Sequence, residues 1–394
     1  MGDPLLAFRA EFPILERTTY LVSNSLGAMP RAVPDRLAEY VDEWADLGVR
    51  AWAGEHGWWR KPVDVGDEIA PLIGAGPGEV VMVPNVTIAQ ATVLSALDYA
   101  APRDTIVMTE LDFPSVRYVY DSLAKRLGAR IIAVPSEDGI GVDTDRMLAA
   151  IDERTRLVAI SHVLFRSAFI MDAEAICRRA HEVGALVSLD AFHSVGVLPV
   201  DVRKIGADFL TGGVLKWLCG GPGGCFLYVA PIVAHSLTPA LTGWQAHARP
   251  FAFEKTMTYA DDAFRWLGGT PVVPALFAAM EGPRIVRRAG IERIRAKSMR
   301  QTARLIELAD AHGFRVTAPR DPAQRGGTVA FDVPHGYEVS ETLLANDVLV
   351  DYRPNAGIRV APHFYTSDEE LERVVTMIAD VLAKGDWRQH QLSP

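Results

Sequence analysis

Leu186-Val187-Ser188-Leu189-Asp190-Ala191-Phe192-His193, followed further along by Gly212-Gly213-Val214-Leu215-Lys216-Trp217-Leu218-Cys219-Gly220-Gly221-Pro222-Gly223-Gly224, are the stretches that decide the fold of this chain. The first is an apolar run that stops on a carboxylate. It reads as a buried strand whose carboxyl end carries an acid, the place where open α/β sheets bind ligands. The second puts a lysine in a glycine-rich turn that approaches the same crevice. Thr105–Met108, Ile131–Val134, Leu157–Ile160, Phe209–Leu210 and Phe226–Val229 read as further strands. Between Leu157–Ile160 and Leu186–Leu189 lies a helical pattern, with Asp172 as its expected N-cap and Gly184 as its expected stop. Strand, helix and strand in this rhythm imply βαβ units and a mostly parallel sheet.

After about residue 280 the texture changes. Ile285 to His312 reads as one long amphipathic, Arg-rich helical stretch, punctuated by Glu292 and Glu307 and therefore a solvated face rather than a nucleic-acid surface. Thr328–Val333, Val348–Val350 and Ile358–Val360 then alternate with the helical stretches Glu338–Asn346 and Asp368–Lys384. The expected organisation is an N-terminal segment, 1–35, that joins the small domain or the domain seam. A large domain at 36–280 and a small C-terminal α/β domain at 281–394 follow.

The chain has 394 residues, 40 basic against 49 acidic, and is 49% hydrophobic. The length suits two domains, and the apolar fraction suits a globular protein. The net charge of −9 and the absence of a long Lys/Arg run exclude an electrostatic nucleic-acid partner. Three cysteines, Cys177, Cys219 and Cys225, are an odd number that fits a reducing compartment. The start, MGDPLLAFRAEF, has no basic region followed by an apolar core, and no run reaches the length of a membrane span. A soluble, cytoplasmic protein without a metal site is expected.

A strand-end acid and a lysine in one crevice suit pyridoxal 5'-phosphate (PLP). The amine forms a Schiff base with the aldehyde, and the aspartate keeps the pyridine nitrogen protonated so that the ring accepts electrons. Singly, the two residues read as a helix cap and a solvated loop charge; the information lies in their ordered combination. A nucleotide-binding reading would need a glycine-rich turn after the first strand. Gly220–Gly224 instead follows the lysine and lacks the G-x-G-x-x-G pattern.

From about Tyr20 to about Tyr365 the chain resembles the class V aminotransferase group of fold type I PLP enzymes, and within it kynureninase. Tyr20–Gly27 is similar to the family's first motif, and Gly54–Pro62 with Gly66–Glu68 to the segment whose histidine, here His56, faces the substrate ring. Asn85-Val86-Thr87 resembles the phosphate-holding turn, and Asp112-Phe113-Pro114-Ser115 the segment whose phenylalanine stacks on the cofactor. Ser161, Asp190, His193 and Lys216 keep the family's order and spacing. Gly243-Trp244 and Gly269-Thr270-Pro271 resemble segments that reach a neighbouring subunit's phosphate, and Gly357–Pro362 the carboxylate-binding strand.

The resemblance implies a fold type I transferase architecture, a homodimer with shared sites and a small amino-acid substrate. Val86, Thr87, Ser115, Ser161, Trp244 and Thr270 would hold the cofactor, with Thr87 at a helix N-terminus. Phe113 would cover one ring face, and His193 would orient Asp190 or the cofactor. Arg359 would grip an α-carboxylate through two parallel hydrogen bonds, with Arg353 as a second candidate. Ser25 and His56 would line the side-chain pocket.

Three departures stand out: Leu215 where the family has a tyrosine before the lysine, Val116 where it has an aspartate, and Arg166-Ser167-Ala168 where it has Tyr-Thr-Gly. Leucine neither binds phosphate nor relays protons. Three readings therefore stand side by side. The first is kynureninase-type hydrolysis of a Cβ–Cγ bond. The second is β-elimination, transamination or epimerisation on the same scaffold. The third is a non-catalytic PLP-fold binding protein. A cysteine desulfurase of the usual kind is disfavoured because no cysteine follows Cys225.

Overall fold

The computed structural model describes residues 2–55 and 57–391. Thirteen strands are found among them. The first is β1 (Thr19–Tyr20). Then come β2 (Val80–Val83), β3 (Thr105–Thr109), β4 (Arg130–Val134), β5 (Thr155–Ser161), β6 (Leu186–Asp190), β7 (Phe209–Gly213) and β8 (Cys225–Val229). The C-terminal region adds β9 (Arg315–Val316), β10 (Val329–Asp332), β11 (Val348–Leu349), β12 (Asp351–Arg353) and β13 (Gly357–Val360).

The seven strands β2 to β8 form one sheet in the order β2-β8-β7-β6-β5-β3-β4. From β7 to β4 all neighbours are parallel, and β8 is antiparallel to both β7 and β2. Alternate residues of these strands feed two apolar layers, because successive side chains of a strand point to opposite faces. Val107, Val158, Val187 and Leu210 enter one cluster, and Ile106, Leu157, Ala159 and Phe209 the other. Both faces are covered, which explains why the strands read as nearly continuous apolar runs.

A second sheet, β12-β13-β10-β9, is antiparallel and has its own core around Phe331, Ile358, Val375 and Ile378. The N-terminal segment reaches the same region: β1 pairs in parallel with β11 as a separate two-stranded sheet, and Val22 bridges to Ala361 just past β13. Phe12 meanwhile packs on Phe364 and Tyr365.

Local signals act where the sequence puts them. Asp172 caps the helix Ala173–Glu182 by accepting from the Ala175 amide, and Gly184 follows at φ +74. One expectation is corrected. Ile285–His312 is not one helix: Glu281–Ala289 and Ile291–Ala311 are separate, broken at Gly290, whose φ of +84 a glycine reaches without a Cβ clash. Thr87 stands at a helix N-terminus without capping it. Asn85 takes that place, its side chain accepting from the Ile88 amide, and Thr87 sits exposed in the first turn of Val86–Ser95.

Candidate active site

The sheet register sets the site. Ser161 of β5, Asp190 of β6 and Thr211 of β7 are direct neighbours across three parallel strands, at their carboxyl ends. The Asp190 carboxylate is buried and accepts from the Phe192 amide at 3.0 Å, while its backbone carbonyl accepts from the His162 amide at 2.8 Å. Next to this row lies a closed polar network around Gln90. Its amide donates to Thr211 Oγ1 at 3.0 Å, and its carbonyl accepts from Tyr120 at 2.8 Å and from Ser188 at 3.0 Å. A hydrogen-bonded buried network helps to fix the strand ends in one arrangement.

Lys216 enters from the turn after β7. Its Nζ lies 2.7 Å from His193 Nε2, between the rings of Phe113 and Phe192 at 5.4 and 5.3 Å from their centroids. His193 thus contacts the lysine nitrogen, and no hydrogen bond joins it to Asp190 among the described residues. The turn is pressed from outside by the first motif. The Gly27 amide donates to the Leu215 carbonyl at 2.7 Å, and a Cβ on Gly27 would lie 2.1 Å from the Lys216 carbonyl oxygen. Gly27→Ala must therefore displace the lysine turn. It is expected to cost about 1–3 kcal/mol, read as a lower melting temperature, and to lower cofactor occupancy; unchanged occupancy would refute the contact.

Burial governs the charges here. It pulls the Lys216 ammonium down to about 7, with the nearby Asp190 charge working in the opposite direction. Burial likewise pushes the Asp190 carboxyl up to about 6, again against the attraction of Lys216. The acid and the amine therefore feel one another inside a single dry site. His193 is held well below the usual imidazole range, first by burial and then by the Lys216 charge.

Asp112 was given no role by the sequence, yet it joins the elements. Its carboxylate accepts from the amide and hydroxyl of Thr109 at 2.8 and 2.9 Å and from the Ser161 amide at 2.7 Å. This fixes Phe113, the residue before the helix Pro114–Leu127, beside Lys216. Ser115 lies in the first turn of that helix, half-buried.

On the other side, Arg359 of β13 is buried and forked onto Asp351 of β12: Nε donates to Oδ1 at 2.8 Å and Nη2 to Oδ2 at 2.5 Å, while Nη1 donates to the Phe165 carbonyl at 2.6 Å. Arg353 also reaches Asp351, at 3.0 Å, and donates to Ser25 Oγ at 3.3 Å. Arg359 and Asp351 thus form a buried ion pair. Trp244 is 40% exposed and meets Trp59 edge-on at 4.8 Å. The Gln245 amide donates to the Gly268 carbonyl at 3.2 Å, so the segment of Trp244 and that of Thr270 are joined. Gly268–Pro271 and Ile88, beyond Thr87, line one cleft. His56 falls outside the described residues.

The donor set fits PLP. A buried amine flanked by aromatic faces, a buried acid at a strand end and free amides at a helix N-terminus match an aldehyde, an aromatic ring with a basic nitrogen and a phosphate. The aminotransferase class-V family model matches residues 19–364. Fold and site together define a fold type I PLP-dependent enzyme, and the chain belongs to the aminotransferase class-V family.

Two relatives narrow this further. The kynureninase of Pseudomonas fluorescens is 32% identical over 405 residues, covering 99% of this chain and 95% of its own. That of Geobacillus thermodenitrificans is 32% identical over 404 residues, covering 98% and 94%. The chain is a kynureninase-like member of the family. Among solved structures, the cysteine desulfurase of Thermococcus onnurineus NA1 superposes with a TM-score of 0.85 at 24% identity, covering 98% of this chain and 99% of that one. The cysteine desulfurase CsdA of Escherichia coli gives 0.81 at 20%, covering 97% and 99%. At those identities the likeness speaks for the fold alone.

Proposed function

We propose that this protein hydrolyses the Cβ–Cγ bond of kynurenine or a related aryl-keto amino acid, water adding across the bond to give alanine and an aromatic acid. The full-length likeness to kynureninases supports this most strongly, joined to the amine, imidazole and carboxylate gathered at the carboxyl ends of the central strands. When bound, PLP supplies an electrophilic aldehyde and a ring that withdraws electrons from the substrate Cα. Lys216 is the residue of covalent attachment and the base for the α-proton; with its ammonium at about 7, Nζ is largely neutral just above that pH. His193, 2.7 Å away, holds that nitrogen in place through a hydrogen bond. Asp190 holds the ring nitrogen protonated, and Phe113 covers a ring face. Val86, Thr87, Ser115 and Ser161 hold the phosphate end and its supporting turn. Arg359, with Arg353, takes the substrate carboxylate, and Ser25 and His56 face the aryl group.

A second reading, β-elimination, transamination or epimerisation, is favoured by Leu215, which leaves no phenol before the lysine. Incubating the holoenzyme with L-kynurenine and 3-hydroxykynurenine and measuring alanine decides between them. Alanine from either supports the hydrolase, and Leu215→Tyr is then expected to change its rate. No alanine from the parent or from Leu215→Tyr sinks it.

We read 36–280 as the cofactor-binding domain and 281–394 as the small domain, with 1–35 between them. We also read the protein as a cytoplasmic homodimer. Its cysteines are buried and unpaired, and among the described residues no helix is long and apolar enough to cross a membrane. Leu37, Val41, Trp44 and Leu47 on the helix Val33–Leu47 are exposed apolar residues for a second copy to cover. Exposed Trp244 and Thr270 would complete that partner's site. Thr270→Val is then expected to weaken PLP retention roughly tenfold, the effect of losing one hydrogen bond to a charged group. Mixed dimers of Thr270→Val with Lys216→Ala should regain one intact site; no regain would argue against shared sites.

A further inference from the structure

Asp351 is a carboxylate that neither the motifs nor the chemistry above employs. It sits between two guanidinium groups, with side-chain exposures of 13% for Asp351 and 3% for Arg359. Of the five N–H groups on a guanidinium, the hydrogen bonds of Arg359 to Asp351 and Phe165 use Nε and one each from Nη1 and Nη2. One N–H on each terminal nitrogen is left. The one on Nη2 points along the end-on edge of the fork, separate from the edge that Asp351 occupies. The same cluster lies near the lysine: Arg359 holds the carbonyl of Phe165, whose ring meets that of Phe113 edge-on at 5.3 Å, and Phe113 flanks Lys216 Nζ; the charges of Arg359, Asp351 and Arg353 act on Lys216 accordingly.

Two cations and one anion leave a single net positive charge beside the reacting amine, which matches one α-carboxylate. Without Asp351 the fork would offer a second edge, through Nε, and a substrate carboxylate seated there would hold Cα away from Lys216 Nζ. A shift of about 1 Å is enough to lower turnover on the order of a hundredfold. We propose that Asp351 is a positioning residue, which occupies the Nε edge of Arg359 so that the α-carboxylate of the amino-acid substrate docks only on the end-on edge. The inference rests on reading the site as one for an α-amino acid on PLP.

The test uses the holoenzyme and L-alanine, which needs no C–C cleavage. Its dissociation constant is read from the visible spectrum, and loss of its α-proton from deuterium exchange by NMR. In Asp351→Asn the dissociation constant is expected to stay within about threefold while exchange falls roughly ten- to a hundredfold, with the resting spectrum unchanged. Asp351→Glu keeps the counter-charge of the buried arginine and moves it by one methylene. It is expected to show the same split, and serves if the asparagine variant does not fold. Exchange kept within threefold in both variants overturns the proposal, as does tighter alanine binding with full exchange, which would make Asp351 a mere competitor. Weakened binding that accounts for the whole loss also overturns it. If the parent exchanges alanine but does not cleave kynurenine, the hydrolase reading fails and the role of Asp351 stands. If the parent neither binds nor exchanges any amino acid, both fail.

Discussion

Lys216→Ala is expected to remove the visible absorbance of covalently held PLP and to lower turnover by roughly four orders of magnitude or more, the scale on which loss of a reacting nucleophile acts. The protein itself should remain folded. The lysine nitrogen is buried against one imidazole and two aromatic rings, and the substitution takes a desolvated charge out of the interior. Absorbance after dialysis, turnover and circular dichroism check the three parts; a variant that keeps both colour and activity would sink the assignment. The same nitrogen gives a pH signature in the cofactor-free parent. Its ammonium is held at about 7 instead of 10.5, chiefly because burial penalises the charge, and only the neutral amine attacks an aldehyde. The rate of combination with PLP should climb about tenfold per pH unit below 7 and flatten above about 8. A rate still climbing at pH 10 would describe a solvated lysine.

Asp190→Asn is expected to separate activity from stability. Turnover should fall about 10²–10⁴-fold, since the charge paired with a ring nitrogen in a dry site is worth a few kcal/mol. The cofactor-free protein should melt at the same temperature or higher near pH 7. The sign follows from linkage. Burial raises the folded carboxyl to about 6 from 3.8, so the folded state favours the neutral acid. Stability contributed by this group is present below 3.8, is lost as pH rises through about 6, and is replaced above that by the full penalty of a buried charge. Asparagine removes the penalty. A large drop in melting temperature with little change in turnover would show Asp190 to be a structural residue.

The strands were readable because their information is local. Apolar runs of four or five residues ending at turns mark β3, β5 and β6, and Asp172 and Gly184 bound a helix by side-chain capping and positive φ, both short-range effects. Where local signals compete, reading fails. Asn85 and Thr87 are both capping types two positions apart, and which takes the place depends on where the chain leaves β2. Gly290 is one glycine inside an otherwise helical pattern, and only its backbone angle turns it into a break. Gln90 did leave a trace, as one amide within an apolar helix, but the trace does not say that Thr211, Tyr120 and Ser188 are its partners.

The order of residue types along the chain determined the parallel sheet, the strand-end acid and the glycine-flanked lysine, because periodicity and turn chemistry act over a few neighbours. Tertiary structure alone decided that Asp112 joins the Ser161 amide across 49 positions and that Gly27 presses on the lysine turn. It also decided that Arg359 divides its fork between Asp351 and a carbonyl 194 positions away. Such contacts are set by how sheets and segments pack, and a hydrogen-bond partner that distant has no signature in the spacing of either residue.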